Sequence, residues 1–241
     1  MLKILVLSAV FSLGVSVSAY LEERVVFGSF PIPLMVIDEN TGVFIELVKA
    51  IGQRANLDIE IYLAPPKRAT LSFANKKTEV LFPAINSIFT PDQKYLKSRE
   101  SFYVRKDFAF TRKNGPLLND IKSLEGKTIG LTRGYTYSNA LLNNTKIRFS
   151  LANRDESNVR KLLARRIDAF VVEEKSGLNA FLNTNKASRV QYDKFQPVSK
   201  EDIFFAFHDN ARGRRLESLV SKAIREMKHD HSFDKIMARS Q

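Results

Sequence analysis

The sequence predicts an α/β protein of two lobes, each a mostly parallel sheet flanked by helices, joined by two crossing strands. Two observations support this prediction. The order strand, helix, strand, helix, strand occurs once in the first half of the chain and again in the second half. Two further extended apolar segments, one between the halves and one after the second, can connect them. Strands that alternate with helices form parallel sheets covered on both faces.

The first half shows each element of the repeat in order. Residues 25–28 form a short apolar strand, and the apolar residues of 44–51 recur at helical spacing. Residues 59–63 alternate as a second strand. A short helix at 68–73 follows two prolines, and residues 80–82 form the third strand.

The second half has the same order of elements, although its amino-acid sequence does not repeat that of the first half. Residues 127–132 alternate as a strand, and a glycine turn leads into a helix near 139–142. Residues 147–150 form the next strand and 159–163 the next helix. The strand at 168–172 then ends at two adjacent carboxylates, Glu173 and Glu174.

The segments 103–110 and 203–207 read as the two crossing strands. An amphipathic helix at about 216–228 then returns to the first lobe. Two crossings make a hinged pair that can close around a small molecule bound at the carboxyl ends of the strands. The predicted division is residues 20–107 with 204–241 as lobe 1, and residues 108–203 as lobe 2.

Residues 1–19 have the pattern of a secretory signal peptide: an early lysine, an apolar run, and small residues ending at Ala19. No cysteine follows, so we expect no lipid anchor, and a disulfide scaffold is excluded. The sequence therefore predicts a periplasmic protein that a hydrophobic core stabilises.

The formal net charge of +12 does not by itself indicate a nucleic-acid partner. The basic residues are scattered through the predicted helices rather than gathered in one run, which is typical of a solvated basic surface. The chain has three histidines, no Gly-x-Ser-x-Gly turn, no phosphate-binding glycine loop and no cluster of metal ligands. We therefore expect a binding protein without metal or cofactor rather than an enzyme.

Five stretches together resemble the family 3 periplasmic solute-binding proteins, the polar-amino-acid-binding branch of the hinged two-lobe fold. They are TGVFIELVKAIG, KKTEVLFPAINSIFTPDQ, SLEGKTIGLTRGYTYS, RRIDAFVVEE and HDHSFDKIM. The resemblance covers nearly the whole predicted mature chain. It implies a monomer that binds a small polar solute and delivers it to an inner-membrane ABC permease.

The resemblance also implies a ligand site. In the family an arginine three residues after the Thr of the Thr-Pro loop holds the ligand carboxylate, but this chain has Gln93 there. The family's carboxylate-gripping turn falls on Gly134, Tyr135 and Thr136, and its amine-binding acid falls on Glu173. We also expect backbone N–H groups at the following helix start to bind an anion. Prolines stand where the family has a stacking aromatic residue.

The remaining candidate ligand-binding residues leave alternatives open. Arg68 could replace the missing carboxylate arginine or could be an exposed helix residue. Asn86 and Ser87 follow a first-lobe strand and could donate to a ligand or cap their own loop, and Phe30 follows the first strand. Glu173 could bind an amine or be a solvated strand-end acid, whereas Glu174 is expected to pair with a surface base such as Lys175 or Arg166.

Two other functions fit the same scaffold. One is an enzyme resembling cyclohexadienyl dehydratase, with a cleft carboxyl as general acid. The other is a sensor or accessory protein that binds a solute without transporting it. The loss of the arginine at Gln93 favours a cationic or neutral solute over a standard α-amino acid.

Overall fold

The computed structural model describes residues 23–240, so the predicted signal peptide at 1–19 lies outside the described residues. The strands are β1 (Glu23–Ser29), β2 (Leu57–Leu63), β3 (Val80–Ala84), β4 (Tyr95–Lys97), β5 (Tyr103–Arg112), β6 (Thr128–Thr132), β7 (Arg148–Ala152), β8 (Ala169–Glu173), β9 (Val190–Gln191) and β10 (Ser199–His208). The helices are α1 (Val43–Ala55), α2 (Pro66–Ala74), α3 (Asn139–Leu142), α4 (Asp155–Leu163), α5 (Glu174–Asn183), α6 (Ala211–His229) and α7 (Ser232–Met237).

The first half of the chain forms a sheet around three parallel strands. β1 lies between β2 and β3 and pairs with both in parallel. The end of β10 then joins β3 antiparallel, and β4 pairs with β10. The short strand β4 was not predicted from the sequence, because three residues are too few to show a periodic pattern.

The second half forms a matching arrangement. β6 lies between β7 and β8 and pairs with both in parallel. The end of β5 adds to β8 antiparallel over residues 107–110, and the two-residue strand β9 pairs with β5. Mostly parallel sheets flanked by helices are thus confirmed for both halves.

The two crossing strands are longer than the sequence indicated, and they pair with each other. Residues 103–107 of β5 lie antiparallel to residues 199–203 of β10. Each strand then continues into a different sheet, β5 beside β8 and β10 beside β3. This pair of strands connects the two sheets, while the residue boundaries of the two lobes stay a prediction.

The apolar stripe of α1 explains why this helix packs on the first sheet. Phe44, Leu47, Val48 and Ile51 are all buried, as their helical spacing predicts. The helix ends where Asn56 adopts a left-handed conformation, a common helix terminus. Helix α6 packs against α1, so the C-terminal helix returns to the first sheet as predicted. Within residues 23–240 no helix has the length and apolar character needed to cross a membrane.

Candidate functional site

A cavity lies where the two crossing strands meet the ends of strands from both sheets. It offers about 110 Å³ to the centres of water molecules, several times the roughly 10–15 Å³ that one water needs. The residues that line it are Phe30, Pro31, Ile32, Pro33, Met35, Phe44, Pro66, Pro83, Ile85, Ile88, Tyr103, Arg105, Gly134, Tyr135, Thr136, Glu173, Ser176 and Ile203. The walls are mainly apolar, and they carry one cationic and one anionic side chain.

Glu173 is the anionic side chain of this cavity, and it stands between β8 and α5. Its Oε2 accepts a hydrogen bond of 2.9 Å from the backbone N–H of Ser176, which caps α5. Its Oε1 accepts a hydrogen bond of 3.2 Å from the hydroxyl of Tyr103. Burial, together with the neighbouring Glu173 carboxylate, raises the pKa of Tyr103, so this hydroxyl stays a donor. Two donors hold the carboxylate in place and leave further lone pairs for a ligand.

Glu174 does not line the cavity. Its Oε1 accepts a hydrogen bond of 2.8 Å from the hydroxyl of Tyr192. Desolvation of Tyr192, with this contact, raises the pKa of its hydroxyl to about 12. The expectation that Glu174 turns away from the cleft agrees with the geometry, but the hydrogen-bond partner that the structure shows is a tyrosine.

Gly134, Tyr135 and Thr136 form a turn on the cavity wall after β6. Gly134 has a φ of +89°, a left-handed conformation that favours glycine. The predicted anion site at a helix start is not found in this form, because α3 begins only at Asn139 and spans four residues. Its N-terminus is capped by Ser138. Any anion affinity of the turn would have to come from its own N–H groups and the Thr136 hydroxyl.

A buried network behind this turn holds Tyr135 in place. The Tyr135 hydroxyl donates to Asp155 Oδ2 over 3.1 Å, and the Thr132 hydroxyl donates to Asp155 Oδ1. Asn158 donates to the Thr132 hydroxyl over 3.1 Å. Burial raises the pKa of Asp155 despite these hydrogen bonds, and the nearby acids Glu156 and Glu173 add to the rise.

The raised pKa of Asp155 predicts a pH-dependent stability. A carboxyl whose pKa is higher in the folded than in the unfolded state stabilises the fold at low pH, and this contribution is lost as pH rises through the folded pKa. Asparagine at this position does not titrate. We compare the unfolding free energies of Asp155→Asn and the unmodified protein in urea titrations. The value for Asp155→Asn minus that for the unmodified protein should increase from pH 4 to pH 7. A difference that falls over this range would contradict the prediction.

Four of the other predicted ligand residues, Arg68, Asn86, Ser87 and Gln93, do not line the cavity. Phe30 lines it, but Arg68 is exposed on α2 and Asn86 accepts a hydrogen bond of 3.3 Å from Tyr95. Ser87 and Gln93 line a second depression, which shares the Gly134–Thr136 turn with the cavity. Gln93 Oε1 accepts a hydrogen bond of 2.8 Å from the backbone N–H of Thr90, so its side chain closes its own loop.

Arg105 is a charged cavity residue that the sequence did not single out. It lies on β5, which the sequence identified as a crossing strand without any sign of a ligand contact. Its Nε donates to Asp107 Oδ1 over 2.8 Å, and its guanidinium lies 5.6 Å from the ring centre of Tyr137. Burial lowers the pKa of Arg105, but interactions with Asp107, Tyr137 and Glu173 together outweigh burial and raise it. Alternation along the strand, which points Tyr103, Arg105 and Asp107 to one face, was the signal available.

The chain is similar to amino-acid-binding proteins of known sequence or structure. No protein-family model matches it. One relative is PatH of Vibrio harveyi, which is named an amino-acid ABC transporter-binding protein. It is 22% identical to this chain over 211 residues, which make up 87% of this chain and 84% of PatH. An ancestral arginine-binding protein bound to arginine superposes with a TM-score of 0.70 at 19% identity, covering 90% of this chain and 98% of its own.

A third similar structure is the ancestral amino acid-binding protein AncCDT-1, a precursor of cyclohexadienyl dehydratase. It has a TM-score of 0.68 at 18% identity, and the match covers 90% of this chain and 94% of that one. These comparisons confirm the two-lobe α/β fold of the periplasmic binding proteins and the resemblance to the solute-binding family.

Proposed function

We propose that this chain is a periplasmic solute-binding protein that closes its lobes on a small polar, amine-bearing solute and delivers it, as a monomer, to an inner-membrane ABC permease. The observation that carries the proposal is the position of Glu173 in the cavity wall. A carboxylate among apolar side chains is stabilised by a counter-charge, which a solute ammonium group supplies. The similarity to PatH supports delivery to an ABC importer.

The cavity geometry supports binding by lobe closure. Its walls include the loop after β1, β3 and the loop after it, the two crossing strands, the turn after β6 and the junction of β8 with α5. A solute that contacts both sides stabilises the closed state over the open one, and the crossing strands are where a hinge motion can occur. Residues 134–136 and Glu173 would then meet the solute from one side, and Phe30 would meet it from the other.

The experiment uses residues 20–241 and a panel of single solutes: amino acids, polyamines, quaternary amines and small dicarboxylates. A solute at 100 times its Kd adds about 2.7 kcal/mol to the unfolding free energy, a rise in Tm of roughly 5–10 °C for a chain of this size. We expect such a rise with an amine-bearing solute. In Glu173→Gln the affinity for that solute should fall at least about tenfold, because a desolvated charge pair is lost.

Glu174→Gln is the matched control for this measurement, because it removes a carboxylate one residue away that does not line the cavity. This variant should keep the affinity of the unmodified protein. Equal affinities in Glu173→Gln and the unmodified protein would show that the acid does not bind the solute. A panel in which no solute changes the Tm would count against the solute-binding function itself.

The similarity to AncCDT-1 keeps an enzyme on this scaffold as a second candidate function. In such an enzyme Glu173 would act as a general acid for a departing hydroxide. The purified protein at high concentration should not turn over prephenate or arogenate if it is a binding protein. Turnover that Glu173→Gln abolishes would replace the proposed function by a dehydratase.

A further inference from the structure

The guanidinium of Arg105, beside the cavity, has a nitrogen that can still donate a hydrogen bond to a ligand. Asp107 occupies the Nε side of its guanidinium, whereas Nη2 is shielded from water and has no hydrogen-bond partner among residues 23–240. The side chain is 14% exposed and lines the cavity. A buried N–H without an acceptor is unfavourable, and the loss is larger for a charged donor. Because Nη2 is shielded in this structure, an acceptor in the cavity reaches it only when the wall around it shifts, as on lobe closure; that contact would remove the cost.

The contacts around Arg105 hold its guanidinium in one orientation, as a ligand-binding group requires. The bond to Asp107 fixes the plane of the guanidinium, and the ring of Tyr137 lies against it. A guanidinium held at Nε keeps its outer nitrogens in the fixed fork geometry that matches a carboxylate. Neither the family's arginine position nor its candidate replacement offers this, because Gln93 closes its own loop and Arg68 is exposed and does not line the cavity.

The two opposite charges of the cavity are close but not joined. Asp107 and Glu173 are register partners on β5 and β8, and Arg105 lies two residues before Asp107 on the same face of β5. No ion pair connects Arg105 to Glu173 in the part of the chain that the structure describes. A solute with a negative and a positive end can therefore bind both side chains at once.

The other residues of the cavity wall determine which kind of solute side chain the cavity can accept. Phe30, Ile32, Met35, Phe44, Ile85 and Ile88 present apolar surface, and no second cavity carboxylate is available among the described residues for a distal cationic group. An apolar ligand side chain gains free energy by burial here, whereas a second charge would be desolvated without a partner.

We infer that Arg105 is the carboxylate-binding residue of this cavity and that the solute is an amino-acid-like zwitterion with an apolar side chain. Arg105 binds the carboxylate and Glu173 binds the ammonium group, while the apolar wall takes the side chain. The inference rests on the proposed function and specifies its solute class. It replaces the expectation, drawn from Gln93, of a cationic or neutral solute.

The test compares matched ligands that differ in one charged group. The unmodified protein and Arg105→Gln are titrated calorimetrically with L-phenylalanine, phenethylamine and 3-phenylpropionate, and with L-leucine and isopentylamine. The unmodified protein should bind an amino acid at least about tenfold more tightly than its matched amine, because only the amino acid reaches Arg105. In Arg105→Gln this ratio should fall towards one while the affinity for the amine is retained.

Retained binding of the amine shows that the variant cavity is folded. If Arg105→Gln does not fold, Arg105→Lys keeps a cation beside Asp107 but loses the fork, and should also reduce the ratio. A ratio that is unchanged in the folded variant, or an unmodified protein that prefers the amine, would overturn the inference and leave the proposed function standing. If none of the five probes binds, the inference fails, and the wider solute panel then decides the proposed function separately.

Discussion

Replacing Asp107 with alanine should destabilise the protein by about 3–5 kcal/mol, because it leaves the charge of Arg105 buried without its carboxylate. Asp107 is fully buried. Its Oδ1 accepts from Arg105 over 2.8 Å, and its Oδ2 accepts from the hydroxyl of Ser199 over 2.9 Å. The carboxylate thereby links the two crossing strands. Urea unfolding at pH 7 measures the change in the unfolding free energy.

Two further variants separate the buried charge from other causes. The double variant Arg105→Met with Asp107→Leu removes both charges and keeps apolar volume, so we expect it to recover at least half of the lost stability. Asp202→Ala truncates an exposed acid on the facing strand β10 and should change the unfolding free energy by less than about 0.5 kcal/mol. A double variant as unstable as Asp107→Ala would mean that the unpaired charge is not the cause.

Phe205→Ala should cost about 3–5 kcal/mol through lost burial and the cavity that remains. Phe205 is fully buried on β10. Its ring centre lies 6.2 Å from that of Phe27, 5.7 Å from Phe82 and 4.5 Å from Phe102. These four rings belong to one buried cluster of the first sheet. We expect the Tm to fall by about 6–20 °C for a chain of this size, which differential scanning calorimetry can measure.

Phe195→Ala is the matched control, because this ring is 80% exposed. It removes the same atoms from a surface position and should change the unfolding free energy by less than about 0.5 kcal/mol. If Phe205→Ala lowers the Tm no more than Phe195→Ala, the ring cluster does not provide the stability assigned to it here.

Local patterns predicted most of the regular structure. The buried stripe of α1 and the alternation in β2 depend on neighbours close in sequence, which the sequence displays directly. Short elements such as β4 and β9 were missed, because they exist only where a distant strand provides hydrogen-bond partners. The crossing strands were recognised as extended but predicted too short. Residues 199–202 pair with β5 and residues 111–112 pair with β9, so distant partners make them part of strands.

The sequence by itself determined the two-lobe α/β fold and placed Glu173 and the Gly134–Thr136 turn beside a cleft. The fold follows from periodicity and Glu173 from a strand end, both of which are local properties, whereas the turn was implied by the family resemblance. Only the tertiary structure decided which cation lines the cavity. The sequence offered Arg68 as the candidate and did not single out Arg105, because the exposure and partners of both side chains depend on residues far away in the chain. The contact with Asp107 and the unpartnered Nη2 of Arg105 exist only once β5, β8 and β10 are assembled.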